Sequence, residues 1–379
     1  MKACITSMFF EKGYGQGLCV KKLSEGLAER GNEIHVIHGE KEKAGGKNLF
    51  YHPLKKISFP AVDIFSFGLG LRKKIRGLDE KIDFDLFYPH SYEFGLIDFN
   101  ELRKPFVYHA RGTVKGNYLN RPKTTSAIEI GRKAVIPLLI KLDEKCCRKA
   151  KKIIVDSERV KKEIMEFHGV KGKKIEVIPD GVDLKEFNPK VNGKRIRKQF
   201  GLKQNKVILF SGRIVPQKGL QYLIEALPRA IEEISSMKLL VVGNNTSEPY
   251  CNTIRKMIKA NNLEERVVFA GFVEQNYMPE FIAASDVVVS PSTYEPFGII
   301  NLEATAMEKP LITTKLVGSL NAVKESATII KPHSPKEISN ALISLFSGKT
   351  KSRKLKKIRE FDWKHLSKKV ERVLLEATE

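Results

Sequence analysis

Short unbroken apolar runs recur along this chain, separated by longer stretches with helical spacing, and the alternation restarts half-way. The second half shows it best: KVILFS at 206–211, KLLVV at 238–242, DVVVS at 286–290 and PLIT at 310–313, with a further short run at 267–269. Each is too short for a helix and rich in β-branched residues, as buried strands are. Helical patterns fall between them near 219–234, 249–261, 276–284 and 298–308. The first half repeats the plan, with strands expected at 2–7, 34–38, 85–88, 106–109, 152–155 and 175–178 and an amphipathic helix over 17–30, closed by Gly31. Strands buried on both faces and joined by helices build parallel sheets. The expectation is an α/β chain of two Rossmann-like, doubly wound parallel-sheet domains, with ligands at the carboxyl ends of the strands. Its 379 residues exceed what one core usually organises. The stretch Asn188–Arg197, containing NPKVNGKR, lacks apolar periodicity and is expected to link a domain over 1–190 to one over 191–357. A last pattern, 361–375, opens with Asp362 as N-cap and carries the only tryptophan, so 358–379 is expected to pack as a terminal helix.

Composition narrows the class. With 42% apolar and 29% charged residues the chain reads as globular. Its five cysteines, at 4, 19, 146, 147 and 251, show no C-x-x-C spacing of a zinc or redox site and are expected to be reduced thiols in the cytoplasm. The opening MKACITSMFF lacks the apolar length of a signal or a span and reads as a strand. The net charge of +23 is uneven. Residues 131–174 and 346–369 carry about +8 each, which suits nucleic acid, an anionic membrane surface, phosphorylated substrates or a merely solvated surface. The segment 131–152 includes AVIPLLIKL between cationic flanks and reads either as an interfacial helix at a lipid-linked acceptor or, given Pro137, as an ordinary packed one.

Three loops carry chemistry. After the first strand, Gly13, Gly15 and Gly17 let backbone approach a ligand and the following helix offers free amides to phosphate. After the strand at 206–211, FSGRIVPQKG places Gly212, Arg213 and Lys218 at one loop, two cations able to stabilise a departing diphosphate. After DVVVS, the segment YEPFGIINLE presents Glu295, then a turn at Pro296, Phe297 and Gly298, then a helix beginning at Ile299 and Ile300, with Glu303 inside it. A ligand across that helix start would meet both carboxylates and the exposed amides of 298–300.

In order and spacing, FSGRIVPQKG, LLVVGNN and ASDVVVSPSTYEPFGIINLEATAMEKPLI resemble the donor domain of retaining GT-B glycosyltransferases of family 4, whose pattern is G-R-x-x-x-x-K-G followed by E-P-F-G-x-x-x-x-E. The resemblance extends to IEVIPDGVDLKEFNP, with Asp180 where Asn is usual, to KKIIVDSERVKKEI and to the closing FDWKHLSKKV, and so covers most of 150–375. It implies a GT-B fold with two domains facing a central cleft. It assigns the diphosphate to Arg213 and Lys218, the ribose hydroxyls to Glu303, hydroxyls of the transferred sugar to Glu295, and phosphate and sugar to the amides at 298–300. His109 in VYHARGT matches the family's cleft histidine, which contacts the donor sugar. The sequence departs in two places: Ala110 and Arg111 precede Gly112 where the family often has glycine directly after the histidine, and GSLNAVKES replaces the usual Gly-Gly-x-x-E after Gly318.

The resemblance implies a retaining transfer from a UDP-, GDP- or ADP-sugar to a glycan, lipid-linked or small-molecule acceptor. The acceptor attacks the face from which the diphosphate leaves. No cofactor and no metal are expected, since no D-x-D motif lies on a strand-end loop. A non-catalytic nucleotide-sugar or nucleic-acid binding protein is the alternative, resting on charge alone. Nucleic acid is not expected, because Arg213, Lys218, Glu295 and Glu303 occur together. A phosphorylase on this fold would need a lysine placed for pyridoxal phosphate, and none stands out.

Overall fold

The computed structural model describes all of the chain except residues 11–13, 41–44, 58, 60–61, 121–126, 245–247, 350–354 and 356. Gly13 therefore lies outside the described residues. The chain divides into two units: Met1–Leu119 with Lys123–Gly181 and Trp363–Glu379, and a second built mainly of Val182–Asp362.

In the first unit β1 (Lys2–Ser7) is buried at every position after Lys2, as befits a strand paired on both sides. It is followed by α1 (Tyr14–Glu29), β2 (Glu33–His38), β3 (Leu49–Pro53), α2 (Val62–Ile82) and β4 (Leu86–Pro89). Then come β5 (Val107–Ala110), α3 (Val114–Leu119), α4 (Ala127–Lys149), β6 (Lys152–Val155), α5 (Glu158–His168) and β7 (Ile175–Val177). The strands form parallel sheets in the orders β3-β2-β1-β4 and β5-β6-β7, joined by a bridge between Phe87 and Phe106. The terminal helix Trp363–Thr378 packs on this unit: a Cβ on Gly26 of α1 would lie 2.0 Å from Ser367 Oγ, so the two helices cross closely. Its buried Trp363, Leu366, Val370, Val373 and Leu374 each contribute about 1.5–3 kcal/mol of apolar burial.

The second unit comprises α6 (Lys194–Gln199), β8 (Lys206–Ser211), α7 (Leu220–Glu233), β9 (Met237–Val242), α8 (Glu248–Ala260), β10 (Val267–Gly271) and α9 (Met278–Ala284). It continues through β11 (Val287–Ser290), α10 (Ile299–Ala306), β12 (Leu311–Thr314), α11 (Leu320–Val323), β13 (Ala327–Ile330) and α12 (Pro335–Phe346). Its parallel sheet runs β10-β9-β8-β11-β12-β13. That is the doubly wound order, and it places the switch point between β8 and β11.

The division falls at Gly181–Val182, earlier than the linker expected at 188–197. The reason is packing: Val182, Phe187 and Ile196 are buried in the core of the second unit, so the Pro- and Gly-containing stretch is already part of it. α1 begins at Tyr14 rather than 17, which puts Gly15 and Gly17 in its first turn, where amides have no intrahelical acceptor.

Candidate functional site

Three loops meet at the carboxyl ends of β8, β11 and β12. The first, 212–219, holds Arg213 exposed and Lys218 partly buried. The second, 291–298, is tied to it by Thr293 N–H donating to Gln217 O at 2.8 Å. The third, 315–319, is tied to the second by Gly318 N–H to Glu295 O at 2.9 Å and Ser319 N–H to Phe297 O at 2.8 Å. Gly219 shows why the first loop must be glycine there: its φ is +77°, and a Cβ would lie 2.1 Å from Pro291 O. Gly298 has φ +94° where the chain turns into α10, and a Cβ would press on Glu295 Cγ at 3.0 Å.

These ties bring together residues far apart in sequence. Lys218 Nζ pairs with Glu295 Oε2 across 77 positions, with side chains 20% and 13% exposed. Phe297 is buried and Gly298, Ile299 and Ile300 are partly exposed at the start of α10, whose first-turn amides lack intrahelical acceptors. Glu303 is 5% exposed and accepts from Gln275 Nε2 at 2.5 Å. Burial pushes its carboxyl up to about 7, the Gln275 hydrogen bond acting against that and the charge of Glu186 adding to it. Asn301, fully buried, donates to Ser319 Oγ at 2.9 Å, so the departing GSLNAVKES segment is held by α10 itself.

In the first unit His109 is 2% exposed at the end of β5. Its Nδ1 faces Tyr88 OH at 2.6 Å and its Nε2 faces Asp156 Oδ1 at 2.8 Å. Burial, then Arg111, push its pKa well below the ordinary value, so the ring is neutral. An Nε2–H donated to Asp156 and an Nδ1 accepting from Tyr88 satisfy both nitrogens. Both nitrogens are taken by protein partners, and the imidazole is a fixed group. Gly15 is exposed and Gly17 buried in α1, and Gln16 between them donates to His90 O at 3.1 Å.

Residues 192–374 match the family described as Glycosyl transferases group 1, and residues 14–186 match Glycosyltransferase Family 4. The chain belongs to the GT-B glycosyltransferases of family 4. An uncharacterized glycosyltransferase of Methanocaldococcus jannaschii is 28% identical over 330 residues, 82% of this chain and 79% of that protein. In fold, this glycosyltransferase is similar to a sucrose-phosphate synthase from Thermosynechococcus elongatus, with a TM-score of 0.82 at 20% identity over 99% of this chain and 98% of the other. It is also similar to the Anabaena HepE protein in complex with UDP and glucose, with a TM-score of 0.78 at 20% identity over 99% of each chain.

Sequence reasoning missed several residues that shape this candidate site. Gln275, in a short turn after β10, orients Glu303, and Ser319 and Asn301 fix the third loop; no charge or motif marked them. Tyr88, His90 and Asp156 surround His109, and Asp180, which had drawn notice as a departure, reaches that cluster through Arg111. A separate buried trio, Asp143, Cys147 and His168, has the composition of metal ligands. Asp143 is already engaged by Tyr108 OH at 2.9 Å, Val114 N–H at 3.1 Å and His168 Nε2 at 3.2 Å. α4 turns Leu139, Leu142, Cys146 and Cys147 inward, and Lys145 donates to Gly95 O and Ile97 O, so the described part of the helix packs along one face and leaves Leu138 exposed on another. Among the described residues no helix is long and apolar enough to cross a membrane.

Proposed function

We propose that this glycosyltransferase retains configuration at the transferred hexosyl carbon and works without a metal, and that the second unit holds the nucleoside-diphosphate sugar. The observation that carries the reading is the Lys218–Glu295 pair at the β8/β11 switch point, beside the start of α10 and the buried Glu303. Arg213 and Lys218 take the diphosphate. Lysine has three N–H donors, so Lys218 can serve Glu295 and a phosphate oxygen together. Glu295 takes hydroxyls of the sugar and Glu303 those of the ribose. The amides of Gly298, Ile299 and Ile300 receive phosphate oxygens in the manner of helix N-termini, with Phe297 shaping the turn, and Gly212, whose own N–H donates to Val242 O, lets the donor approach the strand end without a side chain in the way. In the first unit, exposed Gly15 leaves the opening turn of α1 open to a ligand, with Gly17 buried behind it, and His109 is the group of that unit assigned to the transfer.

The acceptor hydroxyl forms its bond to the anomeric carbon on the face from which the diphosphate departs. The C–O bond to phosphate breaks, and a phosphate oxygen accepts the hydroxyl proton. Leaving-group charge is met by two cations, Lys218 held by Glu295 and Arg213 on the same loop, the role a metal ion plays elsewhere. Turnover with a UDP-, GDP- or ADP-sugar, read as nucleoside diphosphate release that depends on acceptor, is expected to persist after EDTA treatment and to give a product of unchanged anomeric configuration. Loss of turnover restored by magnesium, or an inverted product, would overturn this.

The acceptor is a glycan or a lipid-linked sugar in this reading, met at a peripheral contact with an anionic membrane. The face suited to that contact lies around the start of α2, where Ile57, Phe59, Val62 and Leu69 are 59%, 64%, 39% and 67% exposed beside exposed Lys55 and Lys73. The purified chain is expected to float with phosphatidylglycerol vesicles at low salt, and Leu69→Asp to weaken flotation. Equal recovery with neutral vesicles, or an unaffected variant, counts against the assignment.

A further inference from the structure

Two positions at which the sequence departs from the family pattern, Arg111 and Asp180, touch each other. Arg111 Nη1 donates to Asp180 and, at 3.1 Å, to Asp156 Oδ1, the atom that also receives His109 Nε2 at 2.8 Å. Arg111, Asp156 and Asp180 are 7%, 3% and 7% exposed at the side chain. Every element around them contributes a titratable or charged group: Tyr88 and His90 from β4 and its end, Cys19 from α1, His109 and Arg111 from β5 and its end, Asp156 after β6 and Asp180 after β7. One guanidinium thus balances two buried carboxylates. Without it, two like charges face each other out of water, an arrangement that drives one carboxylate to take a proton.

We propose that Arg111 and Asp180 act as one coupled pair that anchors Asp156 against Nε2 of His109, which makes Arg111, Asp156 and Asp180 positioning residues holding the imidazole as its neutral Nε2–H tautomer for the transfer. A neutral ring suits the reaction, since an imidazolium would repel a sugar that develops positive charge. Burial pushes Asp156 and Asp180 each up to about 6 while Arg111 pulls both down, so the anchor is complete above that pH and lost as either carboxylate is protonated. The proposal rests on His109 being the first unit's group in the transfer, and His109→Ala is therefore the control.

The test is a cycle of Arg111→Gln, Asp180→Asn and the double variant, read as kcat, donor KM and the pH profile of kcat. Arg111→Gln is expected to lower kcat at least about tenfold with donor KM within about threefold, and to move the acid limb to higher pH. Asp180→Asn alone costs less. The double variant, free of the unbalanced second carboxylate, is expected to recover to within about threefold of the parent with its acid limb restored. Losses that multiply in the double variant, with no rescue, overturn the pairing. Should Arg111→Gln fail to fold, the near-isosteric Asp156→Asn decides: its amide oxygen is an uncharged acceptor, a weaker partner for Nε2–H and for Arg111 than the carboxylate, and kcat is expected to fall about 100-fold with the acid limb abolished and donor KM little changed. A parent-like profile in Asp156→Asn, with His109→Ala inactive, refutes the anchor alone. A parent-like His109→Ala refutes the assignment of His109 and the anchor with it.

Discussion

Lys218→Ala is expected to lower turnover by roughly 100- to 1,000-fold, the loss of about 3–4 kcal/mol that follows removal of a fixed charge at a developing anion. Lys218 is the partly buried cation of the 212–219 loop and the ion-pair partner of Glu295. Its removal also leaves a carboxylate 13% exposed without its cation, so sugar hydroxyls would meet a side chain no longer held in one pose. Glu295→Ala is expected to fall as far, and Glu295→Gln, which keeps a hydrogen-bonding oxygen, less far. The measurement is acceptor-dependent nucleoside diphosphate release by purified variants whose melting temperatures stay within a few degrees of the parent. Parent-like turnover by Lys218→Ala or by Glu295→Ala removes these residues from the site.

Glu303→Gln is expected to bind donor weakly at every pH and yet to be more stable than the parent. The Glu303 carboxyl is raised from 4.5 to about 7 in the fold, chiefly by burial. A carboxyl raised in this way favours the folded state while protonated. Its contribution is lost as pH climbs from its unfolded value through about 7, and the loss is complete above that. Glutamine never ionises, so the variant escapes a penalty of roughly 3 kcal/mol at most at pH 8. Ribose hydroxyls donate best to a carboxylate, so parent donor affinity should rise by up to about tenfold between pH 6 and pH 8. Donor titrations and thermal melts at pH 6 and 8 read both effects. A Glu303→Gln protein with parent affinity and the parent's pH dependence contradicts the ribose assignment.

Much of the fold was legible because central strands announce themselves. β1, β8, β9 and β11 are paired on both sides, nearly every position is buried, and the apolar runs are unbroken. β3 and β13 escaped for the opposite reason: each is a sheet edge with mixed burial, so LFYHP and ATII carry no clean period. α2 was hidden by its glycines, which weaken a helical pattern. One of them, Gly68, is where the helix presses on the turn Tyr92–Leu96, a Cβ there lying 2.4 Å from Leu96 Cδ1.

The site divides along the same line. Arg213, Lys218, Glu295 and Glu303 lie on strand-end loops or a helix start, so their spacing in sequence encodes their convergence. The partners that tune them come from elsewhere in the chain: Gln275 reaches Glu303 across 28 positions, Asp156 reaches His109 across 47, and Asp180 reaches Arg111 across 69. Nothing local marks such pairs. Arg111 and Asp180 were each visible as oddities, and only the fold shows that they are one oddity.

The central claim is that a nucleoside-diphosphate sugar lies across the 212–219 loop and the start of α10. A crystal structure with an intact, non-transferable donor analogue tests it most directly. The account predicts phosphate oxygens within hydrogen-bond reach of Arg213, Lys218 and the amides of Ile299 and Ile300, with the ribose on Glu303 and the sugar on Glu295. A diphosphate bound away from those groups, or a ribose that leaves Glu303 bonded only to Gln275, would contradict it.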